Sequence, residues 1–229
     1  MVQFIKKHPL ALRWHYTKLV DDFGWKFADK YFSWTKRRKL KTKHFTIISN
    51  DCVAGVIYHR LGMQYLSPTV WTYIFPDEYL RFLGKLKWYL QQPLRFTDKS
   101  KHTCAVYDRY GRLVKDCHYP VGVLGGDVEI HFLHSKTKED ALNQWNRRVA
   151  RINYENLFAL FVDNAYYDFI EEYFAEFDLL PLGQKLFVSK TQRSSCPYAV
   201  QVTNKMHLER NLDLVKWLNC DLQWQQKTV

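Results

Sequence analysis

Cys52 has the surroundings that a thiol nucleophile needs. It follows an apolar run at 45–48, β-branched at three of four positions, and the polar trio Ser49-Asn50-Asp51. After it come Val53, Val56, Ile57 and Leu61 at helical spacing, closed by Gly62. Strand, polar turn and helix is a geometry that lifts the turn residue off a sheet and sets it at the positive end of a helix, where thiolate is favoured. A cysteine nucleophile also needs a base, and imidazole suits that role near neutral pH. Two histidines are candidates, His131 and His134, both within a strand expected over 127–134. Alternation puts Glu129, His131 and Leu133 on one face and His134 on the other, and spacing does not choose between the two imidazoles. Asn50 or Asp51 would orient the base or stand near an oxyanion. Ser49, Ser67, Asp127 and Glu129 are candidate substrate contacts, and Arg147, Arg148 and Arg151 on a following helix could meet phosphates. The competing reading is structural: a small core thiol, hydrogen-bonded strand histidines and a solvated arginine face.

Several chemistries are excluded by missing motifs. The chain has no GxGxxG after a strand, no GxxxxGK[ST], no GxSxG and no HExxH, which argues against dinucleotide, P-loop, elbow-hydrolase and zincin sites. No DxD pairing supports a metal held by Asp51, Asp127 or Glu129, and neither a metal nor a cofactor is expected. A hairpin over 103–108 and 112–117 would set Cys104 opposite Cys117 beside His102 and His118, but that spacing matches no standard zinc pattern, so two ordinary strand thiols are expected. Five cysteines without a CxxC pair suit reduced thiols. With neither a cleavable signal nor a membrane-length apolar run in view, the expected location is cytoplasmic.

The elements that must position these residues alternate along the chain. Strands are expected at 45–48, 69–75, 127–134, 157–162, 185–189 and 198–202, and helices at 53–61, 76–92, 137–152, 166–177 and 208–217. Such alternation predicts one α/β domain over 45–229, with helices on both faces of a sheet. Thr137, with Asp140 three residues on, marks one helix start. Residues 1–44 are read as a separate helical extension. They hold twelve Lys/Arg against three Asp, or +9 of the net +11, interleaved with Trp, Tyr and Phe. That extension would either pack on the domain or lie peripherally at the inner face of an anionic membrane. The rest is nearly neutral, which argues against nucleic acid as a partner.

The blocks FTIISNDCVAGVIYHRLGMQYLSPT, YPVGVLGGDVEIHFLHSKTKEDALNQWNRRVARIN and LFALFVD resemble the signature blocks of a bacterial family of exopolysaccharide biosynthesis proteins. The likeness spans about residues 45–202. Family sequences often have two glycines where this chain has Ala54-Gly55, and Gly125-Gly126 carries an extra glycine. The resemblance implies a three-layer α/β/α fold with a mixed sheet. It also implies a place in capsule, exopolysaccharide or lipopolysaccharide biosynthesis, as a group transferase acting on a nucleotide-linked or lipid-linked sugar, or as a non-catalytic accessory protein at the membrane. A fainter similarity is to papain-like cysteine peptidase proteins, through Cys52, Gly62, Ser67, Phe132-Leu133-His134 and the arginines at 147, 148 and 151. It implies His134 as the base.

Overall fold

A computed structural model of the protein describes residues 33–102, 119–163, 171–191, 196–202, 208 and 211–222. The first strand, β1 (Thr46–Ser49), is buried at every position and leads into helix α1 (Val53–Arg60). Its partner is β5 (Leu157–Val162), followed across the sheet by β6 (Gln184–Ser189) and β7 (Ala199–Gln201). All three pairings are parallel, in the order β1-β5-β6-β7. A strand covered on both faces must be apolar on both, and LFALFV is. Phe158, Leu160 and Val162 join one core with Ile47, Val53, Ile57 and Tyr58. That core also takes Leu214, Trp217 and Leu218 of α6 (Leu214–Leu218). Ala159 and Phe161 face the other core, with Ile48, Phe187 and Phe177 of α5 (Glu171–Leu179).

This second core is shared with a second sheet. Strands β2 (Arg95–Thr97), β3 (Val121–Leu124) and β4 (Val128–His131) pair antiparallel in that order. Val128 and Ile130 point into the core, where Tyr79, Phe82 and Leu83 of α2 (Pro76–Gly84) and Trp145 of α4 (Lys138–Val149) meet them. The fold is α/β with helices and strands interspersed, as the sequence predicts, and its parallel and antiparallel pairings lie in separate sheets. At the start of α4, Thr137 accepts from the amide of Asp140, so the expected cap is present.

Four expected elements differ, the first being the strand expected over 127–134, which ends at His131 and leaves 133–134 in a turn. Residues 69–75 form no strand: a turn spans 68–71, and among the described residues one bridge, Tyr73 to His131, is their only ladder contact. The helix expected over 76–92 breaks at Lys85 (φ −129, ψ 37) into α2 and α3 (Leu86–Gln91). Gly84 weakens the helix there, and the break lets Leu83, Leu86, Tyr89 and Leu90 all reach the core. The last helix starts at Leu214 and not at 208, because Asp213 caps it by accepting from the amides of Val215 and Lys216. The hairpin bearing Cys104 and Cys117, and residues 166–170 of the acidic helix, lie outside the described residues.

Residues 33–44, assigned to the extension, pack on the domain. Residues 33–38 are helical, Ser33 Oγ donates to the Arg60 carbonyl, and Arg37 donates to the Gly62 carbonyl. The Asn219 side chain donates to the Lys39 carbonyl and accepts from the Lys41 amide, while Leu40 enters the first core.

Beyond the end of β1, a side chain continues the ladder. Asn50 Nδ2 donates to the Val162 carbonyl (3.0 Å) and Asn50 Oδ1 accepts from the Val162 amide (2.8 Å), as a peptide group would. Asn50→Ala leaves both backbone groups buried without their partners. It should lower unfolding free energy by about 2–3 kcal/mol, read as a lower urea midpoint at unchanged slope.

Candidate active site

Cys52 is the residue that caps α1, at the carboxyl end of β1, where open α/β sheets place their ligands. Its Sγ lies 3.6 Å from His134 Nε2 and 3.8 Å from the Thr72 carbonyl oxygen. The pair joins positions 82 residues apart. His134 reaches the thiol from the turn after β4, where the Ser135 amide donates to the Phe132 carbonyl. The thiol is 9 % exposed, whereas the imidazole is open to solvent. Partial burial pushes the His134 pKa below its ordinary 6.5, so the ring is neutral at physiological pH and can accept a proton. The S–H has two acceptors within reach, the Nε2 lone pair and the Thr72 carbonyl.

The ring is held by Trp71, whose indole lies 5.0 Å from it at 58°. Trp71 itself sits at φ +63, a left-handed conformation that is rare for a bulky side chain. Its surroundings hold it there. Thr72 Oγ1 donates to the Thr69 carbonyl, Arg148 donates to the Val70 carbonyl, and Tyr65 packs edge-on to the indole. Below the indole is Gly55 of α1, where an added Cβ would stand 2.7 Å from two ring carbons. Of the Ala54-Gly55 pair, then, the glycine is at the position that has no room for a side chain.

The other candidates separate into groups. Ser49 and Ser67 are fully buried and belong to the turn: Ser49 Oγ accepts from the Asp51 amide, and Ser67 Oγ bonds Thr69 Oγ1. They are placed as scaffold and not as substrate contacts, and Asn50 is likewise taken up by Val162. Asp51 is buried next to Cys52. Arg148 is not on a solvated face. It is buried against Tyr65, with its guanidinium on the Val70 carbonyl and Gln144. Arg151 reaches the Tyr65 carbonyl and Arg147 is exposed. Asp127 sits at the far end of β4, accepting from the Tyr89 hydroxyl.

His131 and Glu129 belong to a second polar cluster. His131 is fully buried among Tyr73, Phe75, His102 and Tyr119, with Nε2 3.5 Å from Glu129 Oε2, so it is not the histidine at Cys52. Burial alone would raise the Glu129 pKa. His131, the Ser100 hydroxyl and the Lys101 amide outweigh it and bring the carboxyl down to about 2. Glu78, also buried, is raised by desolvation but lowered overall by His102, Lys101 and the Glu129 amide. Among the described residues no group of three His, Cys, Asp or Glu side chains is arranged to hold a metal ion. In this cluster the Lys101 ammonium already occupies the place of a cation.

Sequence reasoning overlooked Trp71, Thr72 and Asp163. Asp163 follows β5 and accepts from the Ser189 hydroxyl at the end of β6 (2.7 Å), on the same edge of the parallel sheet as Cys52. Its signal was available, an acid placed directly after the inner strand LFALFV.

Two comparisons place the chain among known proteins. Residues 24–227 match the family described as "Domain of unknown function (DUF1919)". The chain belongs to this family. Cys52, Gly55, Trp71 and His134 all fall inside the matched span. An uncharacterized protein of Haemophilus influenzae strain Rd is similar, 34% identical over 152 residues. The match covers 66% of this chain and 65% of that relative, so the chain spans just under two thirds of the relative's length. The DUF1919 description and that of the relative both leave activity open.

Two outcomes test this geometry. Gly55→Ala forces the indole or the helix to move, and should cost about 1–3 kcal/mol of stability with a changed near-ultraviolet dichroism. Carboxylates held below their ordinary 4.5 stabilise the fold fully above that value and lose the contribution as pH falls toward about 2. Urea midpoints should therefore fall between pH 5 and pH 3, and Glu129→Gln should flatten that slope.

Proposed function

We propose that the chain is a thiol-dependent group transferase acting on a sugar substrate of bacterial surface polysaccharide assembly. The observation that carries the chemistry is the 3.6 Å approach of Cys52 Sγ to His134 Nε2 at the head of α1. The polysaccharide setting rests on the resemblance of the sequence blocks. His134 Nε2 takes the thiol proton as sulfur attacks an acyl carbonyl. The thioester forms as the leaving group departs with that proton. An acceptor hydroxyl then gives its proton to Nε2, attacks the thioester and releases Cys52 as thiol, with His134 returning the proton. Negative charge on the carbonyl oxygen would develop near the first amides of α1, which have no acceptor within the helix. A nucleotide-linked or lipid-linked sugar is the substrate class, with Arg147, exposed, and Arg151, partly exposed, offered to its phosphates.

The alternative is a non-catalytic accessory protein seated on the inner membrane face through residues 1–44. An exposed Trp34 with the Arg38 guanidinium 4.7 Å above its ring supports such a contact. Among the described residues no helix is long and apolar enough to cross a membrane.

Iodoacetamide labelling read by peptide mass spectrometry tests the thiol, with exposed Cys220 as the internal reference. The Cys52 labelling rate should show an acid limb below pH 6.5, the side to which His134 is shifted. His134→Ala should slow Cys52 at least 10-fold and leave Cys220 unchanged. In cells, Cys52→Ala should abolish the glycan made by a strain that depends on this gene. Normal glycan with a stably folded Cys52→Ala chain overturns the enzyme and leaves the accessory reading.

A further inference from the structure

Far from Cys52, an exposed aromatic ridge divides two grooves. Trp88 of α3 is 46 % exposed and Tyr154, in the loop before β5, is 43 % exposed. Both line a groove of about 480 Å³ together with Lys85 and Lys87. Trp88 also walls a second groove of about 330 Å³, which Arg95 and the Gly125-Gly126 turn complete. Each volume is in the range of small-ligand sites. The cations are solvent-exposed, and among the described residues no carboxylate lines either groove.

The ridge is held in place. Gly125 (φ +62) lies against the six-membered ring of the indole, so that a Cβ there would stand 2.7 Å from Trp88. Tyr89 packs edge-on to the indole at 4.8 Å, and the Lys87 ammonium sits 5.3 Å from the Tyr154 ring. Leu157 and Leu182, at the entries to β5 and β6, form part of the larger groove. Cys52 follows the exit of β1 in the same parallel sheet. The ridge is thus separated from the thiol by about the length of a six-residue strand, some 20 Å.

We infer that this ridge is a binding site for an anionic oligosaccharide, separate from the thiol. Aromatic faces take the C–H faces of pyranose rings, while Lys85, Lys87 and Arg95 meet carboxylate, phosphate or sulfate groups on the sugars. A nucleic acid would satisfy rings and cations too, but it draws on a broad positive field. Residues 45–229 carry 22 Lys/Arg against 20 Asp/Glu, so the cations at the ridge are local. The choice of a glycan rests on the polysaccharide reading above, whereas the anionic character rests on the lining alone. A site this far from Cys52 would hold the growing or finished polymer and not the reacting bond.

Calorimetric titration of the full chain with hexagalacturonic acid, with neutral maltohexaose as reference, tests it. Hexagalacturonic acid should bind at least 10-fold more tightly than maltohexaose, more weakly as salt rises. Trp88→Ala and the pair Lys85→Gln/Lys87→Gln should each weaken it at least 10-fold, with unchanged urea midpoints for the lysine pair as the check that its loss is not one of folding. Cys52→Ala should bind as the parent does. That separates this site from the transferase, which fails or survives on the labelling of Cys52. No binding at millimolar hexagalacturonic acid, or unchanged binding in Trp88→Ala, overturns the proposal. Displacement by duplex DNA as effective as by the sugar itself would also overturn it.

Discussion

Two hydrogen-bonded contacts on one short segment join the two sheets. The amide of Ile74 donates to the Asn50 carbonyl, at the end of the parallel sheet, and Tyr73 exchanges both backbone bonds with His131 at the end of β4. Cys52 stands two residues from the first anchor and His134 three residues from the second. The 3.6 Å between their reactive atoms follows from this strap, because neither sheet alone fixes where the other's turn must lie. Buried side chains secure the strap from both sides: Asn50 by copying a peptide to Val162, Arg148 by seizing the Val70 carbonyl just upstream. Removing either would loosen the strap, while the core shared by the two sheets still holds them together.

How much of this was legible in the sequence depends on the range of the cause. LFALFV, KLFVS and the β-branched run before Ser49 read as strands because their burial is dictated residue by residue, and they are strands. Thr137 with Asp140 read as a helix start because the bond is local. The segment 69–75 has strand composition, yet Trp71 turns left-handed there, a tertiary effect of Gly55, Tyr65 and Arg148 that no window of sequence contains. Thr72 was therefore hidden as a neighbour of the thiol. The strand alternation left His131 and His134 open, since either could have faced Cys52. It is the end of β4 at His131 that frees His134 to turn outward. The arginines at 147, 148 and 151 look equivalent on a helix, and only packing sends one of them inward.

The two histidines show how three residues of separation can set different chemistry. His131 is enclosed by rings and faces a carboxylate, and its service is to structure. His134 is partly desolvated beside a thiol, with no carboxylate among its contacts in the described residues, and its lowered basicity keeps it neutral and able to accept a proton. Among the described residues, the group that fixes the imidazole is an indole, where the proposed nucleophile–base pair would ordinarily have a carboxylate or amide. Such a partner orients by shape and exclusion and leaves the ring's charge unstabilised, which suits a base that holds its proton only briefly.

The Thr72 carbonyl gives the thiol a resting place whose consequence is chemical endurance. The carbonyl oxygen stands 3.8 Å from Sγ and covers it on that side, and with only 9 % of the residue exposed a peroxide has little access to the sulfur. Cys220, exposed at the surface, has no such shelter and would be oxidised ahead of it. Oxidant reaching the folded chain would thus find the surface cysteine first, and the buried sulfur only after it.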